Sequence, residues 1–78
     1  MTIEWQIKEK DFNSTGQLTK IGFKVSLGDF IRDREYMFTS NNSFDNNSTD
    51  EEIISFVKNN LGLGQKQALE DGLTQQAA

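Results

Sequence analysis

The chain has 78 residues, no cysteine, no histidine and a formal net charge of −4. These figures point to one small domain, 1–78, and exclude disulfides and thiolate or imidazole metal sites, along with the usual general base of catalysis at neutral pH. A single core of this size supplies only about 3–5 kcal/mol, so self-association or attachment to a larger assembly is the remaining source of support.

Thr2 to Lys10 alternates: Ile3, Trp5 and Ile7 against Glu4, Gln6, Lys8 and Lys10. That is the period-2 pattern of a strand with one buried face. Asp11 to Gly16 has turn chemistry. A second strand at about 18–28 puts Ile21, Phe23, Val25 and Leu27 on one face and ends at Gly28-Asp29. Phe30 to Arg34 shows no clean period and reads as a loop or short bridge. Alternation returns in a third strand at about 34–40, with Tyr36 and Phe38 on one side. Short connections between successive strands favour an antiparallel meander, because parallel pairing needs a longer crossover.

Asn41 to Ser48 reads as a polar loop in which Phe44 is the one apolar residue, placed to anchor the loop or to sit near the helix start. A helix over 49–61 follows. Thr49 is its expected N-cap, and Glu52 completes a capping box, with Asp50 and Glu51 suited to the positive end of the helix dipole. Ile53, Phe56, Val57 and Leu61 form its apolar stripe. Gly62 suits the residue after the helix end, with Leu63 making the hydrophobic contact of a Schellman motif. Gly64 reopens the chain, and a short C-terminal helix is expected at 65–76, frayed from Thr74.

The fold class expected is therefore α+β: an antiparallel sheet of three strands, with a fourth as the alternative, and the 49–61 helix packed on one face. The expected core is Ile3, Trp5, Ile7, Ile21, Phe23, Val25, Leu27, Ile53, Phe56, Val57 and Leu61, joined by Tyr36 or Phe38. Trp5 reads first as a core residue and second as an interface anchor.

Three constellations of charge invite a chemical reading. Asp45, Asn47 and Thr49 have the first half of a calcium-loop spacing, but Asp50 stands where that loop needs glycine and Phe56 where it needs glutamate. The acids at 50–52 are explained by helix capping, so neither a metal nor a catalytic carboxylate pair is assigned to them. Lys8, Lys10, Lys20, Lys24, Arg32 and Arg34 gather on the outward sheet face or its margin. Glu4, Glu9, Asp33 and Glu35 interleave with them, which reads as a mixed soluble surface whose edge lysines discourage strand addition. Residues 1–40 hold six basic and six acidic side chains, whereas residues 41–78 hold two basic and six acidic ones. An acidic domain is a poor phosphate binder, so nucleic acid is a disfavoured partner.

No apolar run approaches the ~20 residues of a membrane span, and Met1 to Ile7 has neither the basic nor the apolar part of a secretory signal. A cytosolic protein with no membrane partner is expected. The Asn-x-Ser/Thr matches at Asn13, Asn41, Asn46 and Asn47 then read as by-products of Asn/Ser-rich loops.

The order of these signals resembles a family of small proteins of tailed bacteriophages, often marine or cyanobacterial ones, whose function is not established. Trp5-Gln6-Ile7, Phe23-Lys24-Val25 before Gly28-Asp29, and Thr49 to Lys58 before Leu61-Gly62 carry the resemblance, and Glu70 and Leu73 match its closing helix. The chain departs from the family pattern over residues 30–48 and has Phe56 where a tryptophan is common. The resemblance implies a phage origin and brings no catalytic residues. With no catalytic signature and no cofactor motif, the expected function is non-enzymatic: a phage accessory protein acting through protein–protein contacts, as a capsid or tail subunit. It would reside in the host cytoplasm or the virion. The alternatives are an acidic protein that modulates a host enzyme, and nucleic-acid binding through the sheet face. The helix's outer face and the acidic C-terminal half leave Glu51, Lys58, Glu70 and Asp71 as candidate interaction residues.

Overall fold

The structure, a computed structural model, describes residues 2–77. The elements run β1 (Glu4–Phe12), β2 (Leu18–Leu27), β3 (Phe30–Met37), α1 (Asp50–Asn60) and α2 (Gly62–Ala77). The strands form an antiparallel meander with β2 in the centre. This is the expected α+β class, with strands first and helices after.

Gly28 and Asp29 join β2 to β3 in a two-residue turn closed by the Leu27–Phe30 pair. Gly28 has φ +61° and no other residue type takes a positive φ among the described residues. A positive φ at the first central position is the type II′ pattern, whose twist matches that of the flanking strands. The third strand thus runs Phe30–Met37, beginning and ending earlier than the expected 34–40. Phe30, Arg32, Arg34 and Tyr36 lie opposite Leu27, Val25, Phe23 and Ile21, so the segment without a clear period is regular strand. Two arginines on its core-side face disguise the alternation.

The first strand is also displaced from the expected 2–10, and it is bulged. Ile7 pairs with Phe23, but Glu9 pairs with Gly22 and Lys10 with Ile21, leaving Lys8 as the extra residue. An extra residue reverses which side chains face inward. Lys10 consequently leaves the outward face assigned to it from simple alternation and joins the helix side.

The core is Leu18, Ile21, Phe23, Val25 and Leu27 of β2, with Ile53, Ile54 and Val57 of α1 and Leu73 of α2. From Ile21 to Leu27 every second residue of the central strand faces the helices and is buried, because β2 has neighbours on both edges and helices above. Ile3, Trp5, Ile7, Phe56 and Leu61, expected inside, are only partly buried and pack around this centre. Trp5 and Ile7 are less covered because β1 is an edge strand, and Ile3 lies just before it. Leu18, Ile54 and Leu73, which are outside the expected core, complete it.

Thr49 caps α1: its Oγ1 accepts a hydrogen bond from the Glu52 N–H at 3.1 Å. The return bond of a capping box, from the Glu52 carboxylate, is not among the described hydrogen bonds. Gly62 has φ +81°, but the chain re-enters a helix at once, so Leu63 and Gly64 lie in the first turn of α2. Leu63 is 83% exposed and makes no Schellman contact. The far end is helical to Ala77 rather than frayed, with the Thr74 hydroxyl donating to the Glu70 carbonyl at 2.9 Å.

The 38–49 connection is held by polar contacts. Asn42 Nδ2 donates to the Leu18 and Thr39 carbonyls, and Gln17 Nε2 donates to those of Ser40 and Asn42. Phe44 anchors it, with ring centroids 5.7 Å from Phe38 and 5.1 Å from Phe56. Among the described residues, no helix is long and apolar enough to cross a membrane.

Candidate functional site

Two surface features bring chemically distinct side chains together. The first lies between α1 and β1. The register of β1 turns Trp5 and Ile7 toward the helix side of the sheet, and α1 presents Glu51, Ile54, Ser55 and Lys58 along the same margin. Between them is an open depression of about 880 Å³. Trp5 stacks on Phe23 with centroids 5.6 Å apart and ring planes 11° from parallel. Lys58 Nζ stands 5.4 Å from the Trp5 ring centre, within range of a cation–π contact. Trp5 is thus a core-packed residue and part of an open surface at once, so the two readings of it are not exclusive.

Of the four residues singled out from sequence, Glu51 and Lys58 meet in this depression. Glu70 and Asp71 lie elsewhere, on α2, beside Leu63 and Lys66. Lys66 Nζ is 2.9 Å from Glu70 Oε1, an i,i+4 pair, so Glu70 is already engaged within its own helix. Asp71 is exposed. The four do not form one site.

The second feature involves the basic set, which simple alternation gathers on one sheet face or its margin. The register divides it. Lys8, Lys20 and Lys24 stand on the outward face, where Lys8 meets Asp33 at 3.1 Å and Lys20 meets Asp11 at 3.6 Å and Glu35 at 3.9 Å. Lys10, Arg32 and Arg34 stand on the helix side. Lys10 pairs with Asp50 at the start of α1. Arg32 and Arg34 have no carboxylate within ion-pair distance among the described residues. Their guanidinium groups donate only to neighbouring backbone carbonyls, of Ile31 at 3.4 Å and Asp33 at 2.7 Å. Both border a groove of about 290 Å³ between β3 and α2, with apolar walls from Phe23, Leu61, Ala68 and Leu69 and with Glu35 and Gln65 also at its margin. A strand that alternates Phe30, Arg32, Arg34 and Tyr36 was the available signal.

The residues of the half calcium motif serve the loop and the helix cap. Asp45 Oδ1 accepts from the Asn47 N–H at 2.8 Å, and Thr49 is occupied as the cap. No protein-family model matches the chain, and comparison with curated proteins and with solved structures returns no match.

Proposed function

We propose that this chain is a non-enzymatic bacteriophage accessory protein that works by binding another protein, as a subunit attached to the capsid or tail. The observation that supports binding is the α1–β1 depression. It holds the single tryptophan of the chain, partly buried, with Ile7 and Ile54 beside it and Glu51 and Lys58 at its margin. An aromatic anchor with charged groups around it is the composition that concentrates binding energy at protein interfaces. The phage setting rests on the resemblance carried by the Trp5, Phe23 and Thr49–Lys58 segments.

The test is mass spectrometry of purified virions together with the soluble fraction of infected cells. The proposal expects the chain in the virions, and loss of it from them when Trp5 and Lys58 are both replaced by serine. Abundant free protein in the cells with none in the virions would overturn the structural role.

A further inference from the structure

We propose that the free edge of β3 takes up an extended acidic segment of a partner protein, which adds to the sheet as a fourth strand and places alternate carboxylates against Arg32 and Arg34. This surface is separate from the α1–β1 depression and stands or falls independently of it.

The first support is backbone geometry. β3 is an edge strand: β2 lies on one side, and no strand pairs on the other among the described residues. In an antiparallel pair closed by a two-residue turn, the residues flanking the turn form a hydrogen-bonded pair, and such pairs alternate along the ladder. The flanking pair here is Leu27–Phe30, so Arg32 and Arg34 also direct their backbone groups toward β2. The Phe38 N–H, in the same parity, bonds the Thr19 carbonyl at 2.9 Å. It follows that Ile31, Asp33 and Glu35 turn their N–H and C=O groups to the open edge; the Ile31 and Asp33 carbonyls there accept from the Arg32 and Arg34 guanidinium groups, which an added strand would displace toward its own carboxylates.

The second support is charge. On an added antiparallel strand, the residues opposite Arg32 and Arg34 occupy non-hydrogen-bonded positions, where facing side chains approach most closely. They would point to the helix side and into the groove bordered by Leu61, Ala68 and Leu69. Carboxylates at two alternate positions would match both guanidinium groups, which have no acidic partner of their own. Asp33 alternates to the other side of the sheet and pairs with Lys8 at 3.1 Å, whereas Glu35, which also borders the groove, lies 3.9 Å from Lys20.

The same geometry argues against a second copy as the occupant. A two-fold pairing of β3 with β3 in a continuous sheet keeps faces matched. It therefore opposes inward residues to inward residues and, for a two-fold axis at Arg32, Asp33 or Arg34, sets arginine against arginine of the other copy. Like charges directly opposite are unfavourable. The first turn of α2, which borders the groove through Gln65, contains no acidic residue to repel an incoming carboxylate.

The experiment uses the full chain and two short synthetic peptides, blocked at both ends. One alternates glutamate with valine, and the other has glutamine in place of glutamate. Binding is measured by calorimetry at ~50 mM salt, where charge pairing is least screened, and amide exchange is followed by NMR. The glutamate peptide should bind at least about tenfold more tightly than the glutamine peptide, and Arg32→Gln with Arg34→Gln should erase that preference. Exchange at Ile31, Asp33 and Glu35 should slow in the complex, while amides already bonded to β2 change little. Because the peptide is altered as well as the protein, the comparison survives a poorly folded variant. Equal binding of both peptides, binding of neither, or protection outside β3 would overturn the proposal. So would displacement of the glutamate peptide by an equal concentration of single-stranded oligonucleotide, or dimerisation of the chain through β3.

Discussion

Lys10 and Asp50 form an ion pair that joins the bulged end of β1 to the first turn of α1. The pair exists only because the extra residue at Lys8 turns Lys10 to the helix side. Asp50 meanwhile sits where the helix dipole favours a negative charge. The lysine is mostly covered and the aspartate mostly open, so the attraction is partly screened by solvent. A double-mutant cycle with Lys10→Met and Asp50→Asn should give a coupling of ~0.2–1 kcal/mol. Raising the salt from about 0.05 M to about 1 M should remove most of it. Absence of coupling at low salt would mean that the bulge does not deliver Lys10 to the helix.

Thr49 supplies the one side-chain cap described at the start of α1. Thr49→Ala leaves the Glu52 N–H without its partner and should cost about 1 kcal/mol in urea unfolding, whereas Thr49→Ser or Thr49→Asp should cost little. If alanine and serine were equivalent, the helix start would be fixed by packing of Ile53 instead.

The cap at Thr49 and the inward face of β2 could be read directly, because each follows from a local rule that tertiary contacts reinforce. Ile21, Phe23, Val25 and Leu27 alternate without interruption, and Thr49 precedes three acids. Two kinds of feature were hidden. A β-bulge leaves no mark on composition, so simple alternation puts Lys10 on the wrong face. Polar residues on a core-side face also break the pattern that defines a strand. Arg32 and Arg34 did this to β3, and in doing so concealed both the start of the strand and the groove beside it. A departure from pattern that the fold nevertheless retains is where a binding role is most worth seeking. The burial of Leu73 was hidden for another reason. The apolar stripe of α2 is thin and interrupted by Gly72, so its docking depends on the sheet and not on the helix.

Leu73 gives that docking a direct measure. It is fully buried and belongs to the same core as Phe23 and Val57. Leu73→Ala should therefore destabilise the chain by about 2–5 kcal/mol through lost burial and the cavity left behind. In a domain of this size that is most or all of the stability, so circular dichroism should show a large unfolded fraction at 25 °C. Leu63→Ala is the matched control on the same helix. Leu63 is 83% exposed, and its replacement should change stability little. Similar small effects at both positions would mean that α2 is not docked in solution.

Gly22 lies opposite the bulge, between Glu9 on one side and Glu35 on the other. Its φ is not in the left-handed region, so an alanine is allowed by the backbone. The obstacle is a side chain: a Cβ there would stand 2.9 Å from Glu9 Oε1 and 3.0 Å from Glu9 Cγ. The carboxylate end can swing into solvent, but Cγ can move only if the rotamer nearest the backbone changes. Gly22→Ala alone should therefore be destabilising. With Glu9→Ala as the background the space is clear, and the same substitution should become neutral or stabilising by about 0.4–1 kcal/mol, because alanine restricts the unfolded chain. Chemical denaturation of the four variants reads the change of sign. An equal loss in both backgrounds would show that Gly22 is required by the backbone of the bulged pair, and that the contact with Glu9 is incidental.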